Sequence, residues 1–138
     1  MADVSFTATS IKPGANAQTK EVMFGATITP GMAVYLDASD NKYKIADCTD
    51  AAKDAAAGMA LTGGADGQPG VIITGGNLTT SAHLSLASPV YILSETGLIC
   101  PAADLANNDY ITIIGVATST TNLKLSINVS GVQAAGIV

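Results

Sequence analysis

Arginine and tryptophan are absent from this 138-residue chain, histidine occurs once, and cysteine twice. The missing guanidinium bears on partners, because phosphate and base-edge recognition lean on its rigid donor fork. With six lysines against eleven Asp plus Glu and a net charge of -5, nucleic acid is repelled rather than gathered. The one histidine, His83, is the only imidazole from which a Ser-His-Asp or Cys-His arrangement could be built, and no Gly-x-Ser-x-Gly elbow accompanies it. In Ser81-Ala82-His83-Leu84 it reads as a solvent-facing strand residue. Cys48 and Cys100 are too few for a disulfide framework and too far apart in sequence for a recognisable zinc site; compartment favours free thiols, although the two could face each other in the fold and be bonded. No apolar run reaches the ~18 residues of a membrane span, so no membrane partner is expected. Met1-Ala2-Asp3-Val4 lacks the basic start and apolar block of a secretory signal, which points to assembly in a cytosol.

What the chain does have is aliphatic. Apolar residues make up 48% of it and charged residues only 12%, with four Tyr and two Phe as the aromatics. Such small, branched side chains suit pleated, half-buried surfaces better than a cavity around a large ligand. Low charge with much apolar surface to cover favours a homo-oligomer.

Two stretches follow one design. Met32-Ala33-Val34-Tyr35-Leu36 leads through Tyr43-Lys44-Ile45-Ala46 to Gly58-Met59-Ala60-Leu61, and Pro89-Val90-Tyr91-Ile92-Leu93 leads through Gly97-Leu98-Ile99-Cys100 to Gly115-Val116-Ala117. Val34 aligns with Val90 at an offset of 56, and Gly58 with Gly115 at 57. A β-rich unit built twice reads as a scaffold that binds with its surface.

Alternation over residues 2 to 9 places Val4, Phe6 and Ala8 on one side, the period of a half-buried strand. Residues 1–20 therefore read as an N-terminal strand or arm, and 21–138 as a single β-rich domain with pseudo-repeats at about 31–62 and 88–118. Val34 to Asp37 and Lys42 to Ala46 form a hairpin around Ala38-Ser39-Asp40-Asn41. Asp50 to Ala57 has the one helical signature, with a capping Thr49 or Asp50, propagating alanines and a stopping Gly58. Val71 to Thr74 reads as a strand closed by Gly75-Gly76-Asn77, Val90 to Leu93 with Leu98 to Cys100 as a second hairpin, and Ala102 to Leu105 as a short turn. Tyr110 to Ala117 is a strand, and Leu123, Leu125, Ile127 and Val129 alternate with polar neighbours as the clearest strand of all. Short strands with turns every 8 to 12 residues or so indicate an all-β sandwich or barrel with one or two very short helices.

The search for chemistry returns little. Gly58 to Gly63 has the frame of a phosphate loop, but Gly64 stands where the lysine must be. Asp37-Ala38-Ser39-Asp40-Asn41 and Asp47-Cys48-Thr49-Asp50 gather oxygens without calcium-loop spacing, and read as solvated turns. Lys42 and Lys44 flank Tyr43 as the nearest approach to a basic patch. No catalytic residue, cofactor or metal is assigned.

The run Gly25-Ala26-Thr27-Ile28-Thr29-Pro30-Gly31-Met32-Ala33-Val34-Tyr35-Leu36-Asp37, with Lys44-Ile45-Ala46-Asp47, Ala57 to Leu61 and Gly67-Gln68-Pro69-Gly70-Val71, resembles the small capsid decoration, or cement, proteins of tailed bacteriophages. Pro89-Val90-Tyr91, Asp109 to Ala117 and Leu123-Lys124-Leu125 fit the same pattern, and the likeness spans roughly 24 to 130. The resemblance implies a non-enzymatic virion protein, usually trimeric, that binds the capsid exterior and bridges major capsid protein subunits. It also implies that the N-terminal segment, with Val4 and Phe6, reaches the shell or a neighbouring protomer. The alternatives are another phage head or tail accessory protein, a carbohydrate-binding β-sandwich module, which would need exposed aromatic platforms, and, third, a hydrolase built around His83.

Overall fold

In the computed structural model, residues 6, 8–80, 84–87, 89–104 and 109–133 are described. Ten strands dominate them: β1 (Lys12–Pro13), β2 (Gln18–Met23), β3 (Ala33–Asp37), β4 (Lys42–Ile45), β5 (Ala56–Ala60), β6 (Pro69–Thr79), β7 (Val90–Leu93), β8 (Ile99–Pro101), β9 (Tyr110–Ser119) and β10 (Asn122–Gln133). Among the described residues helix is confined to single 3-10 turns at Ala8–Ser10 and Ala102–Asp104. The fold is all-β: an antiparallel sheet curled into a half-barrel, in the order β4-β3-β5-β6-β10-β9-β7-β8, with β1 and β2 added along β6.

That order is the same read from either end. A hairpin (β3-β4 or β7-β8), a returning strand (β5 or β9) and a long strand (β6 or β10) make each half, and β6 meets β10 in the middle. In the first half Ala33 faces Met59, Val34 faces Gly58 and Tyr35 faces Ala56 across a bulge. In the second Val90 faces Val116, Tyr91 faces Gly115 and Ile92 faces Ile113 across a bulge at the same step, so each counterpart lies 57 residues on. The ladder therefore pairs Val34 with Tyr91 as equivalents, one residue away from the match of the two Val-Tyr dipeptides. A slip of one residue exchanges the faces of a strand. Tyr35 and Tyr91 nevertheless both point into the main core, while Val34, the ladder equivalent of Tyr91, lies in a second cluster on the other face.

The main core lies inside the curl, where Met59, Ile73, Leu78, Tyr91, Leu93, Ile99, Ile114 and Leu123 pack together. Burying each such side chain is worth about 1.5–3 kcal/mol. A second cluster of Val22, Phe24, Ile28, Val34, Tyr43, Ala60 and Ile72 fills the opposite face of the first half, beneath β2 and the chain that follows it. The ends of the sheet are drawn together by backbone bonds: Ala33 N–H to Gly97 O (2.8 Å), Gly97 N–H to Ala46 O (2.7 Å) and Cys48 N–H to Ser94 O (3.2 Å).

Both hairpins, the Tyr110 strand and the Leu123 strand lie where the sequence places them. Three elements differ. The helix expected over Asp50 to Ala57 is one turn, closed by Lys53 N–H to Asp50 O (3.0 Å) and Ala52 N–H to Asp50 Oδ1 (2.8 Å), after which Ala56 enters β5. Alanine favours helix locally, but ladder bonds to β3 and β6 together with burial outweigh that preference. The strand expected to close at Gly75 continues to Thr79. Gly76, at φ +83°, lets the strand bend as it changes neighbours from β5 and β2 to β10 and β1. Finally, Ala8, expected in a strand, begins a 3-10 turn.

Candidate functional surfaces

The carboxylates of the first hairpin are engaged in building its turn. Asp37 Oδ1 accepts from the Ser39 backbone (2.9 Å) and hydroxyl (2.7 Å), and Asp40 Oδ1 accepts from the Lys42 backbone (3.1 Å). Their second oxygens hold Lys44 Nζ at 2.7 and 3.1 Å. Asp37 is held well below the ordinary carboxylate range, chiefly by the Lys44 ammonium; Asp40 is also lowered, chiefly by the Lys42 N–H. Lys44 is pushed up by the same bonds, above all by Asp37. Lys42 reaches Asp66 at 3.4 Å, so the flanking lysines meet carboxylates rather than forming a bare basic patch.

Asp47 serves another turn, accepting from the Thr49 backbone (2.9 Å) and hydroxyl (2.6 Å). Burial raises its pKa, and the Thr49 and Thr96 bonds outweigh that and bring it down. Among the described residues no group of three or more His, Cys, Asp or Glu could hold a metal. The would-be phosphate loop is dismantled by the fold: Gly58 sits inside β5, and Gly64 bridges to Ile28.

Polar groups are also buried at the junction of the halves. Asp54 and Asp109 are each 5% exposed, and each has an Oδ2 without a hydrogen-bond partner. Thr112 Oγ1 donates to the Asp54 carbonyl at 2.6 Å, and Tyr110 N–H to the Cys48 carbonyl at 2.7 Å. Burial raises the Asp54 carboxyl, which is thereby kept closer to neutral. Cys48 and Cys100 are both buried and are not joined in a disulfide. The Cys48 thiol is pushed up to about 12, first by burial and then by Asp109 and other acidic neighbours, so it is no nucleophile at neutral pH.

Of the two arm residues named from the sequence, Val4 lies outside the described residues. Phe6 is half-buried against the main core, with its ring beside Gly31. His83 also lies outside the described residues. A shallow, open depression of about 460 Å³ is lined by Glu21, Thr62, Gly63, Pro69, Gly70 and Val71, without a paired nucleophile and base.

The exposed features that sequence reading missed are apolar. Val90 and Val116 face each other across β7 and β9 at 37% and 39% exposure, with Lys124 beside Val116. Val129, placed by alternation in the inward row of β10, is 40% exposed, and Val132 is 59% exposed. Ile127 still packs against the main core, and the row is lost at Val129, past the register shift between Leu125 and Asn128. The signal was faint, since one inserted residue reverses the faces of everything that follows.

Compared with family models, with curated proteins and with solved structures, the chain matches none of them. Its surfaces have to be interpreted from their own chemistry.

Proposed function

We propose that this protein is a structural component of a phage particle, a decoration protein that binds the outside of the capsid and stabilises it by bridging major capsid protein subunits. The observation that carries the reading is the placement of its reactive groups. Asp37, Asp40 and Asp47 are committed to backbone, hydroxyl and lysine partners, Cys48 is buried and protonated, and what faces solvent includes valines on the sheet. Such a body contributes through contact area and repeated attachment, not through bond-making. The strand-and-turn resemblance to cement proteins names the surface it would fit.

The carbohydrate-module alternative calls for aromatic platforms in solvent. Tyr35, Tyr43 and Tyr91 are buried, and Tyr110 is half-buried, which speaks against it.

The test is to mix purified protein with undecorated, expanded capsids and measure sedimentation and heat resistance. Co-sedimentation at micromolar concentration with a raised disruption temperature is the expected result. Protein that stays in the supernatant, or that binds without altering heat resistance, sinks the proposal.

A further inference from the structure

We infer that the outer edge of β10, from Ser126 to Gln133, pairs with the same segment of a second copy of this chain. The inference rests on the reading that copies of the protein associate, and is independent of what shell they coat.

β10 runs twelve residues, and β9 follows one of its edges as far as Gln133. On the other edge β6 accompanies it only from Asn122 to Leu125, and no further strand among the described residues takes over. Asn128, Val129, Ser130, Gly131 and Val132 are all exposed, so the described residues cover neither face of this stretch. An unpaired strand edge is a template for another strand.

The other sheet margins carry devices that prevent such pairing. β4 holds Lys42 and Lys44 and is met on its open side by Gly25 N–H to Tyr43 O (2.8 Å). β8 is three residues long and ends in Pro101, β1 is two residues with Pro13, and β2 carries Lys20 and Glu21. Beyond Leu125, β10 has no proline and no charge. In a chain of net charge -5, a charge-free segment is where two copies meet without repulsion.

Two register shifts, between Leu125 and Asn128 and between Val129 and Gln133, twist this edge. They limit regular pairing to a few residues, with Val129 and Val132 adding side-chain contact, and discourage open-ended stacking. Identical edges pairing antiparallel close about a twofold, so the unit is a dimer, where the resemblance to cement proteins implies a trimer.

Light scattering coupled to size exclusion tests this with Val129→Lys/Val132→Lys and Val129→Glu/Val132→Glu. The expected results are a dimer for the unmodified protein, a monomer for each double variant with unchanged far-UV circular dichroism, and recovery of dimer mass when the two variants are mixed. A monomeric unmodified protein, a trimer that survives the lysine pair, or no recovery on mixing overturns the inference. A variant that loses its circular dichroism is replaced by Val132→Lys and Val132→Glu alone, read in the same way. Capsid sedimentation of the monomeric variants separates this interface from shell binding.

Discussion

Gly58 and Gly115 hold the same place in the two halves: each lies across from its hairpin strand, at Val34 and Tyr91, and each presses its Cα against the next strand. A side chain at Gly58 would run into the Ile73 carbonyl, and one at Gly115 into the Lys124 carbonyl. Backbone cannot swing aside as a flexible side chain can. Gly58→Ala and Gly115→Ala are each expected to cost about 1–3 kcal/mol, the usual range for overpacking. Urea unfolding checks both, and an unchanged midpoint for either would show that the strands there are looser than described.

Thr96 occupies the left-handed region at φ +55°, in the turn between β7 and β8, next to Gly97 at φ +73°. A β-branched side chain is poorly suited to that conformation. Thr96→Asn should raise stability by about 1 kcal/mol, because asparagine tolerates the region. A lower melting temperature would contradict this.

Cys48 should resist alkylation in the folded protein at neutral pH, being buried with a thiol pushed up to about 12. Iodoacetamide labelling followed by mass spectrometry is expected to modify it only once denaturant is added. Dithiothreitol should leave the melting temperature unchanged, since neither cysteine is in a disulfide. Rapid labelling of the native protein would place Cys48 nearer solvent.

The Asp54 carboxyl is raised by burial, so the folded state binds its proton more tightly than the unfolded state. Its contribution to stability is therefore fully present below the unfolded value of 3.8 and declines as pH rises through the folded one. Asp54→Asn removes that dependence. The variant should gain stability relative to the unmodified protein on going from acid to neutral pH, as read by thermal melts across the range. A constant difference would mean that Asp54 does not titrate as described.

Asp37 behaves in the opposite sense. Its pKa is depressed in the folded protein, so the stability it supplies is present above the ordinary carboxylate value and is lost as pH falls toward the folded one. Lys44→Ala should move the Asp37 titration back up toward 3.8, as followed by carboxyl-carbon NMR. A midpoint that stays put would assign the depression to Ser39 alone.

Local chemistry was legible where it is self-contained. The turn Ala38 to Asn41 is written by Asp37, Asp40 and Asn41, whose side chains or left-handed backbone close it without help from elsewhere. The alternation of Leu123 and Leu125 with Lys124 likewise survives intact. The candidate surface was far less legible. Val90, Val116, Val129 and Val132 look like core residues in any list of side chains, and only the covering of each face separates them from the buried valines.

The order of residues alone determined that this chain would be extended, turned often, doubled in design and poor in reactive groups, because those properties follow from side-chain type and from neighbours close along the chain. Tertiary structure decided that Ala56 to Ala60 is a strand, that β6 passes through Gly76 without stopping, that the halves register at 57 residues, and that β10 ends with an edge unclaimed by described strands. Each of those outcomes depends on ladder bonds and packing between segments distant in sequence, whose combined free energy exceeds the modest preferences of any one stretch.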